Sequence, residues 1–166
     1  MIDLVTQQRI QLLHPKLRNE VTFLINQANA QLTTHSEVRI VEALRTFDEQ
    51  NALYAQGRTK PGKKVTQAKG GQSFHNYGVA FDFALLIDNK EISWDLKRDW
   101  DGDKIADWME VVNTFRRAGW EWGGTWKFQD NPHLQKTFGL GWRDMLQKYN
   151  SGDTFADANG IKYINI

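Results

Sequence analysis

The chain has 166 residues, a length typical of one ordinary domain with a genuine hydrophobic core. Its 21 basic and 20 acidic residues nearly cancel, which argues against a nucleic-acid partner because no excess of basic charge is available to neutralise phosphates. It contains no cysteine, so thiol catalysis, thiolate metal sites and disulfides are excluded, and any metal must be held by histidine, carboxylate or backbone oxygen.

The first half of the chain predicts helices around one strand. Apolar residues recur at helical spacing through residues 3–32, and Pro15 divides this stretch into two helices. Residues 37–44 are rich in β-branched side chains and predict a strand, which a short helix at 48–56 follows. The segment 57–71 is rich in Gly, Lys, Thr and Pro and has no apolar period, so it predicts a long exposed loop of the kind that is frequently functional.

The second half predicts a strong strand at 79–87 and a helix at 105–118 that ends at Gly119. The last stretch, 151–166, predicts a hairpin or a strand. Because the helices and strands do not form repeated βαβ units, the chain predicts an α+β fold. We expect a single compact domain over residues 1–166, with a small, mostly antiparallel sheet and flanking helices. No segment reaches the roughly 18 apolar residues needed to span a bilayer.

A polar motif, Ser-Phe-His-Asn-Tyr-Gly-Val-Ala-Phe-Asp, ends at Asp82 inside the predicted strand. His75 and Asp82 would point to opposite faces of a continuous strand, so they converge only if the chain turns between them. The turn-forming residues 76–78 predict that turn. Ala80 and Ala84 share a strand face with Asp82, and their small side chains leave room for an ion. The local pattern also leaves open that Asp82 caps a turn or pairs with an arginine.

A second motif, Asp130-Asn-Pro-His133, predicts a bend, since the proline pushes Asn131 toward extended geometry. A neutral imidazole at His133 would complete a set of two histidines and one carboxylate with His75 and Asp82. Three protein ligands and a fourth position for water are typical of catalytic zinc. Asp130 would then lie close to the ion without being a ligand, where its natural role is the general base.

Together these motifs resemble the zinc peptidases that include the D-alanyl-D-alanine carboxypeptidases and share a fold with the Hedgehog signalling domain. The family signature Ser-x-His-x-x-Gly-x-Ala-x-Asp stands at 73–82, and its acid-x-x-His stands at 130–133. The stretch from Arg45 to Gly71 is similar to the branch of L-alanyl-D-glutamate endopeptidases found in phage endolysins and some bacterial wall enzymes. The resemblance is strongest over residues 35–140.

The resemblance implies hydrolysis of the amide that joins L-Ala to D-Glu in the peptidoglycan stem peptide, with zinc and without an organic cofactor. Arg45 would stabilise the scissile carbonyl oxygen or the tetrahedral oxyanion, which a fixed guanidinium suits. Gln50 and Ser73 would support the site by hydrogen bonding. Trp122 and Trp126 belong to an aromatic-rich segment that either packs in the core or lines a substrate groove.

Two other functions stay open. Carboxypeptidase relatives typically carry Glu followed by Trp-His where this chain has Asp130 followed by Asn-Pro-His, and this departure favours the endopeptidase branch. A non-catalytic, zinc-containing wall- or partner-binding domain is the second alternative, because Hedgehog relatives keep zinc yet act in signalling. The presence of both Asp130 and Arg45 argues against it.

The prediction of a cellular role starts from two features that are not recognisable in the sequence, a signal peptide and a wall-binding domain. The N-terminus lacks the pattern of a signal peptide, and no separate wall-binding domain is evident. We therefore expect a phage endolysin, made in the host cytoplasm and acting on the wall after release, with cytoplasmic recycling as the alternative. We expect a monomer that binds neither nucleic acid nor membrane.

An acidic segment at 99–110 predicts a second metal site. Carboxylates occupy positions 1, 3, 5, 9 and 12 of an EF-hand-like loop, and a backbone carbonyl is expected at position 7. Lys104 stands at position 6, where glycine is expected, which leaves the affinity open. The alternative is an acidic first turn that stabilises the next helix through its dipole. The candidate calcium ligands are Asp99, Asp101, Asp103, Ile105, Asp107 and Glu110.

Overall fold

The structure, a computed structural model that describes residues 1–166, contains five α-helices and seven strands. In chain order they are α1 (Leu4–Ile10), α2 (Pro15–Gln31), β1 (Ser36–Glu42), α3 (Phe47–Ala55), β2 (Ala80–Ile87), β3 (Glu91–Ser93), α4 (Asp107–Arg117), β4 (Glu121–Trp122), β5 (His133–Gln135), α5 (Trp142–Asn150), β6 (Thr154–Ala156) and β7 (Lys162–Ile164). Two short 3-10 turns lie at Phe74–Tyr77 and Gly123–Thr125. No helix combines the length and apolar character needed to cross a membrane.

Strand β2 is the centre of the main sheet. One edge pairs with β1 from Ser36 opposite Ile87 to Glu42 opposite Asp82, with a bulge between Ile40 and Glu42. The other edge is shared, since β5 pairs with the beginning of β2 and β3 with its end, while β4 pairs with β5. Every pair is antiparallel, so the predicted α+β fold with a small antiparallel sheet is confirmed.

The core lies between this sheet and the helices α1, α2 and α4. Phe81 and Phe83 of β2 are fully buried, as the alternation of the strand predicts. Phe83 packs against Trp108 of α4, and Phe81 packs edge-on against Phe115. Burial of each such side chain stabilises the fold by about 1.5–3 kcal/mol. Residue Asp82, between the two phenylalanines, therefore points to the opposite face of a firmly anchored strand.

The sequence did not predict the shortest elements. Strands β3, β4 and β5 have three residues or fewer, too short to show a period of two, and helix α5 was also missed. The C-terminal segment forms the hairpin β6–β7, one of its two predicted forms. Helix α4 begins at Asp107 and not at Ile105, because Asp103 Oδ1 accepts the backbone N–H of Ile105 and holds that residue in a turn of the loop.

Candidate metal centre

His75, Asp82 and His133 come from three elements and lie side by side. His75 is on the first 3-10 turn, Asp82 is on β2, and His133 begins β5 directly opposite Asp82. His75 Nε2 is 3.4 Å and His133 Nδ1 is 3.2 Å from Asp82 Oδ1. One ligand atom from each residue lies within 4.8 Å of the other two, a spacing that a single ion can bridge.

A tight turn brings His75 back toward the strand. Gly78 ends the turn with φ +70°, and a Cβ there would come within 2.6 Å of the His14 backbone nitrogen, so only glycine fits. The Ser73 hydroxyl accepts a hydrogen bond from the His75 backbone N–H at 3.3 Å. The Asn76 carboxamide oxygen accepts from the Ser73 N–H at 3.2 Å. The turn predicted between the two ligands is present, and Ser73 caps it.

Hydrogen bonds on the far side of each imidazole orient the two rings. His75 Nδ1 donates to the Ala43 carbonyl at 2.9 Å, and His133 Nε2 donates to Gln135 Oε1 at 2.8 Å. Each ring therefore turns its other nitrogen, with a lone pair, toward Asp82. Lone pairs facing a carboxylate oxygen at these distances repel unless a cation or proton lies between them. Two imidazole nitrogens and one carboxylate oxygen are donors that zinc accepts, so these residues fit a zinc ion.

A second layer of polar residues, which the sequence did not predict, supports His133. Gln135 donates from Nε2 to Glu121 Oε2 at 2.5 Å, and Glu121 Oε1 accepts from Trp126 Nε1 at 3.2 Å. The Trp126 ring lies 5.1 Å from the His133 ring, centroid to centroid. The available signal was the spacing of two between His133 and Gln135, which puts both side chains on one face of a strand.

The charges of the site are coupled. Burial opposes ionisation of Asp82, but hydrogen bonds from His133 and His75, formed when a proton lies between each ring and the carboxylate, hold the pKa of its carboxyl well below the usual range. Burial, reinforced by the negative charge of Asp82, raises the pKa of Asp130. Asp82 is thus an ionised candidate ligand, while Asp130 has a greater affinity for a proton than an ordinary aspartate.

Asp130 stands at the rim of the cluster on a hydrogen-bonded turn. Its Oδ2 lies 3.8 Å from His133 Nδ1, and its side chain is 49% exposed. The His133 N–H donates to the Asp130 carbonyl at 3.2 Å, in agreement with the predicted bend. Gly123 packs so closely beneath Asp130 that a Cβ would meet its carbonyl oxygen at 2.4 Å. Trp122 Nε1 donates to the Asn131 carbonyl at 2.7 Å, so Trp122 supports this turn.

Arg45 reaches the same cleft from the other side. Its Nη1 donates to Gln50 Oε1 at 3.0 Å, and Gln50, which is fully buried, donates from Nε2 to the Ala68 carbonyl at 2.8 Å. The Arg45 backbone N–H donates to the His75 carbonyl at 3.0 Å. Gln50 therefore joins α3, the guanidinium and the long loop through hydrogen bonds.

The predicted metal, base and arginine residues all line one open cleft of about 550 Å³. The long loop contributes Val65, Thr66 and Ala68 to its wall, and Trp126 closes the opposite side. This volume lies within the usual range of ligand-binding clefts and suits a short peptide. Among the residues that line the cleft are Arg45, Ser73, His75, Asp82, Trp126, Asp130, His133 and Gln135.

The acidic segment lies away from this cleft. It follows β3, which pairs with the end of β2, whereas Asp82 is near the beginning of β2. Five residues of extended strand separate the two ends, a distance of about 17 Å. The candidate calcium ligands therefore form a separate cluster and do not take part in the metal centre.

The family model and the relatives that match this chain define the class of enzymes that it resembles. Residues 66–136, which hold the three candidate ligands and Asp130, match the family model described as D-alanyl-D-alanine carboxypeptidase. The predicted resemblance to that peptidase family is thereby confirmed.

Two particular relatives refine the class. Over 100 residues the chain is 51% identical to the peptidoglycan L-alanyl-D-glutamate endopeptidase CwlK of Bacillus subtilis (strain 168). That match covers 60% of this chain and 60% of CwlK. The crystal structure of the L-Ala D-Glu endopeptidase ChiX of Serratia marcescens has the same fold, with a TM-score of 0.56 and 23% identity over 82% of this chain and 90% of that one.

Proposed function

We propose that the chain is a zinc-dependent endopeptidase that hydrolyses the amide between L-Ala and D-Glu in the peptidoglycan stem peptide. The observation that carries the proposal is the convergence of His75, Asp82 and His133 with Asp130 and Arg45 in one open cleft. The L-alanyl-D-glutamate endopeptidase CwlK, 51% identical over the matched region, supports this choice of bond.

The three candidate ligands would hold the ion. When bound there, zinc supplies Lewis-acid polarisation of an amide carbonyl and a lowered pKa for water. The chain itself supplies their orientation, because the hydrogen bonds to the Ala43 carbonyl and to Gln135 keep the ligating nitrogens of His75 and His133 directed at Asp82.

Asp130 is the proton carrier of this proposal. Its carboxylate is exposed to the cleft and lies 3.8 Å from a ligating nitrogen of His133. Its raised pKa, caused by burial and by the Asp82 charge, favours uptake of a proton from the attacking water. Asp130 then returns that proton to the nitrogen of the leaving amine, so no proton is left on the enzyme after turnover.

Arg45 is the electrostatic partner of the oxygen that becomes negative. Gln50 anchors one guanidinium nitrogen at 3.0 Å, and the nearest carboxylate, that of Glu42, stays 3.9 Å away from the other. The guanidinium is thus oriented but not neutralised by a close ion pair. A fixed cation of this kind stabilises the transition state without reorganising.

The second candidate is a D-alanyl-D-alanine carboxypeptidase, which the description of the matching family model favours. Digestion of purified muropeptides, followed by mass spectrometry, separates the two functions by their products. Release of fragments that begin at D-Glu supports the endopeptidase, and release of a single D-Ala supports the carboxypeptidase. A chelator should abolish either reaction, and added zinc should restore it.

A non-catalytic wall-binding domain is tested in the same assay. It becomes the better account if the zinc-loaded protein releases no fragment and Asp130→Asn binds purified wall as the parent does. The role in host lysis, action on the wall after release from the cytoplasm, and the monomeric state stay predictions. A turbidity assay on permeabilised cells and light scattering of the purified protein test them.

A further inference from the structure

We infer that the acidic segment of residues 99–110 is a binding site for calcium, held by carboxylate oxygens of Asp101, Asp103 and Glu110. This site is separate from the metal centre and does not depend on the peptidase activity. Its contribution would be to the stability of the segment that joins β3 to α4.

The carboxylates converge in the folded chain. One oxygen each of Asp101, Asp103 and Glu110 lies within 4.8 Å of the others, and the same holds for Asp99, Asp101 and Asp107. No lysine or arginine forms a salt bridge with any of these five residues. Carboxylates that close together repel one another unless a cation lies between them.

Glu110 gives independent support for a ligand. The residue is only 4% exposed, and its Oε2 is buried without any hydrogen-bond partner. Its carboxylate points into the cluster, since one of its oxygens is among the converging atoms. A buried carboxylate oxygen without a partner is costly, and native structures rarely leave one unexplained. A bound cation would satisfy it.

The electrostatics agree with this geometry. Burial, and then the charges of Asp103 and Asp101, raise the pKa of Glu110 to about 7. In the absence of a cation, the charged form of Glu110 is therefore disfavoured in the folded chain. The oxygen-only ligand set suits a hard cation. Calcium accepts irregular geometry of this kind, whereas magnesium demands a near-ideal octahedron and loses its water reluctantly.

The backbone conformation of Lys104 explains how the loop accommodates a lysine at its sixth position, where glycine is expected. Lys104 adopts φ +78°, the left-handed conformation that glycine usually provides at that position. The expected ligand set changes at Asp107, which is not part of the group that Asp101, Asp103 and Glu110 form. Its two oxygens accept from the Ser36 hydroxyl and from the Trp100 backbone N–H. Asp107 therefore anchors the loop to β1, and we do not count it among the ligands.

Calcium titration of the zinc-loaded protein tests the site. We expect the unfolding temperature to rise by about 5–10 °C at calcium one hundred times Kd. We also expect terbium added to the protein to luminesce on excitation of tryptophan, since Trp100 and Trp108 are both within two residues of the candidate ligands or their anchor. Calcium should quench that signal by displacing terbium.

Three variants make the test specific. Glu110→Gln and Asp103→Asn should each weaken calcium binding at least tenfold, and Asp103 is exposed, so that variant is expected to fold. Asp95→Asn is the matched control, an exposed aspartate four residues before the acidic segment, and should respond as the parent does. The inference is overturned by a parent that shows no calcium shift, by equal shifts in Glu110→Gln and Asp103→Asn, or by an equal shift with magnesium.

Discussion

The metal centre and the acidic loop both contain carboxylates that lie close to other candidate ligands, but their side chains are positioned in different ways. The ligands of the metal centre come from a turn and two strands, and Asp82 meets His133 only through the pairing of β2 with β5. The acidic residues come from twelve consecutive positions, 99–110. Their side chains accept N–H groups of their own loop, as Asp99 does from Gly102 and Lys104.

The donor atoms of the metal centre are thus oriented by long-range contacts, whereas those of the acidic loop are oriented by local ones. At the metal centre, residues outside the ligand set orient the donors, which is typical of a site that performs chemistry. In the acidic loop, the chain orients its own carboxylates and is anchored to the sheet at Asp107. We therefore expect each site to respond to its own substitutions and to leave the other intact.

The largest effect is expected for His75→Ala. Loss of one of the three ligands should release zinc and lower kcat/KM by about 10³-fold or more, since the metal contributes several kcal/mol to the transition state. Metal analysis and muropeptide digestion measure these changes. The calcium-induced rise in unfolding temperature should persist, and its disappearance would show that the two sites are coupled.

Asp130→Asn should follow, with kcat reduced about 10²–10⁴-fold because the proton carrier is lost. Zinc content should stay at the level of the parent, since Asp130 lies outside the ligand set. Asp48→Asn, which changes an exposed aspartate on α3, is the matched control and should keep full activity. Equal kcat for the parent and the Asp130 variant would exclude Asp130 as the general base.

Gln135→Leu should weaken zinc binding about 10–100-fold, because His133 loses the acceptor that orients its ring. Competition with a chromophoric chelator measures this affinity without reference to activity. Gln147→Leu, at an exposed glutamine of α5, is the control. An unchanged zinc affinity would mean that β-sheet pairing alone orients His133.

The smallest effect is expected from His14, which lies outside both sites. Burial lowers the pKa of His14, and its Nε2 donates to the Ile164 carbonyl at 2.8 Å. The unfolded chain then takes up a proton on this ring at a higher pH than the folded chain does. The contribution of His14 to the free energy of unfolding is therefore complete above the unfolded pKa of about 6.5. It is lost as the pH falls toward the lower pKa of the folded chain.

In the metal-free protein, the unfolding temperature should therefore fall more between pH 7 and 5.5 for the parent than for His14→Gln. The other histidines are present in both proteins, so the difference isolates His14. Identical pH dependence would show that His14 is as easily protonated in the folded chain as in the unfolded one.

Several parts of the site were predictable because their signals are local. The motif ending at Asp82 combines a turn glycine with an alternating strand, and both features depend on near neighbours in sequence. The bend before His133 follows from one proline. The supporting layer was not predictable in this way, since Glu121 and Ala43 reach the histidines or Gln135 through contacts between distant segments.

The role of Trp122 shows the same limit. Its sequence surroundings allow either core packing or substrate contact, and only the bond from its indole N–H to the Asn131 carbonyl identifies it as a support for the Asp130 turn. The close approach of Gly123 to Asp130 was equally hidden, because nothing in the neighbouring residues requires glycine there.

The sequence by itself determined the kinds of ligand available, the strand that carries Asp82 and the acidic spacing of 99–110, because residue chemistry and short-range periodicity are local properties. Only the tertiary structure decided which atoms meet. Packing between distant segments sets the register that puts Asp82 opposite His133, and it sets the direction of each imidazole. It also leaves one oxygen of Glu110 buried without a hydrogen-bond partner. Packing of that kind minimises the free energy of the whole chain, and no short window of sequence contains it.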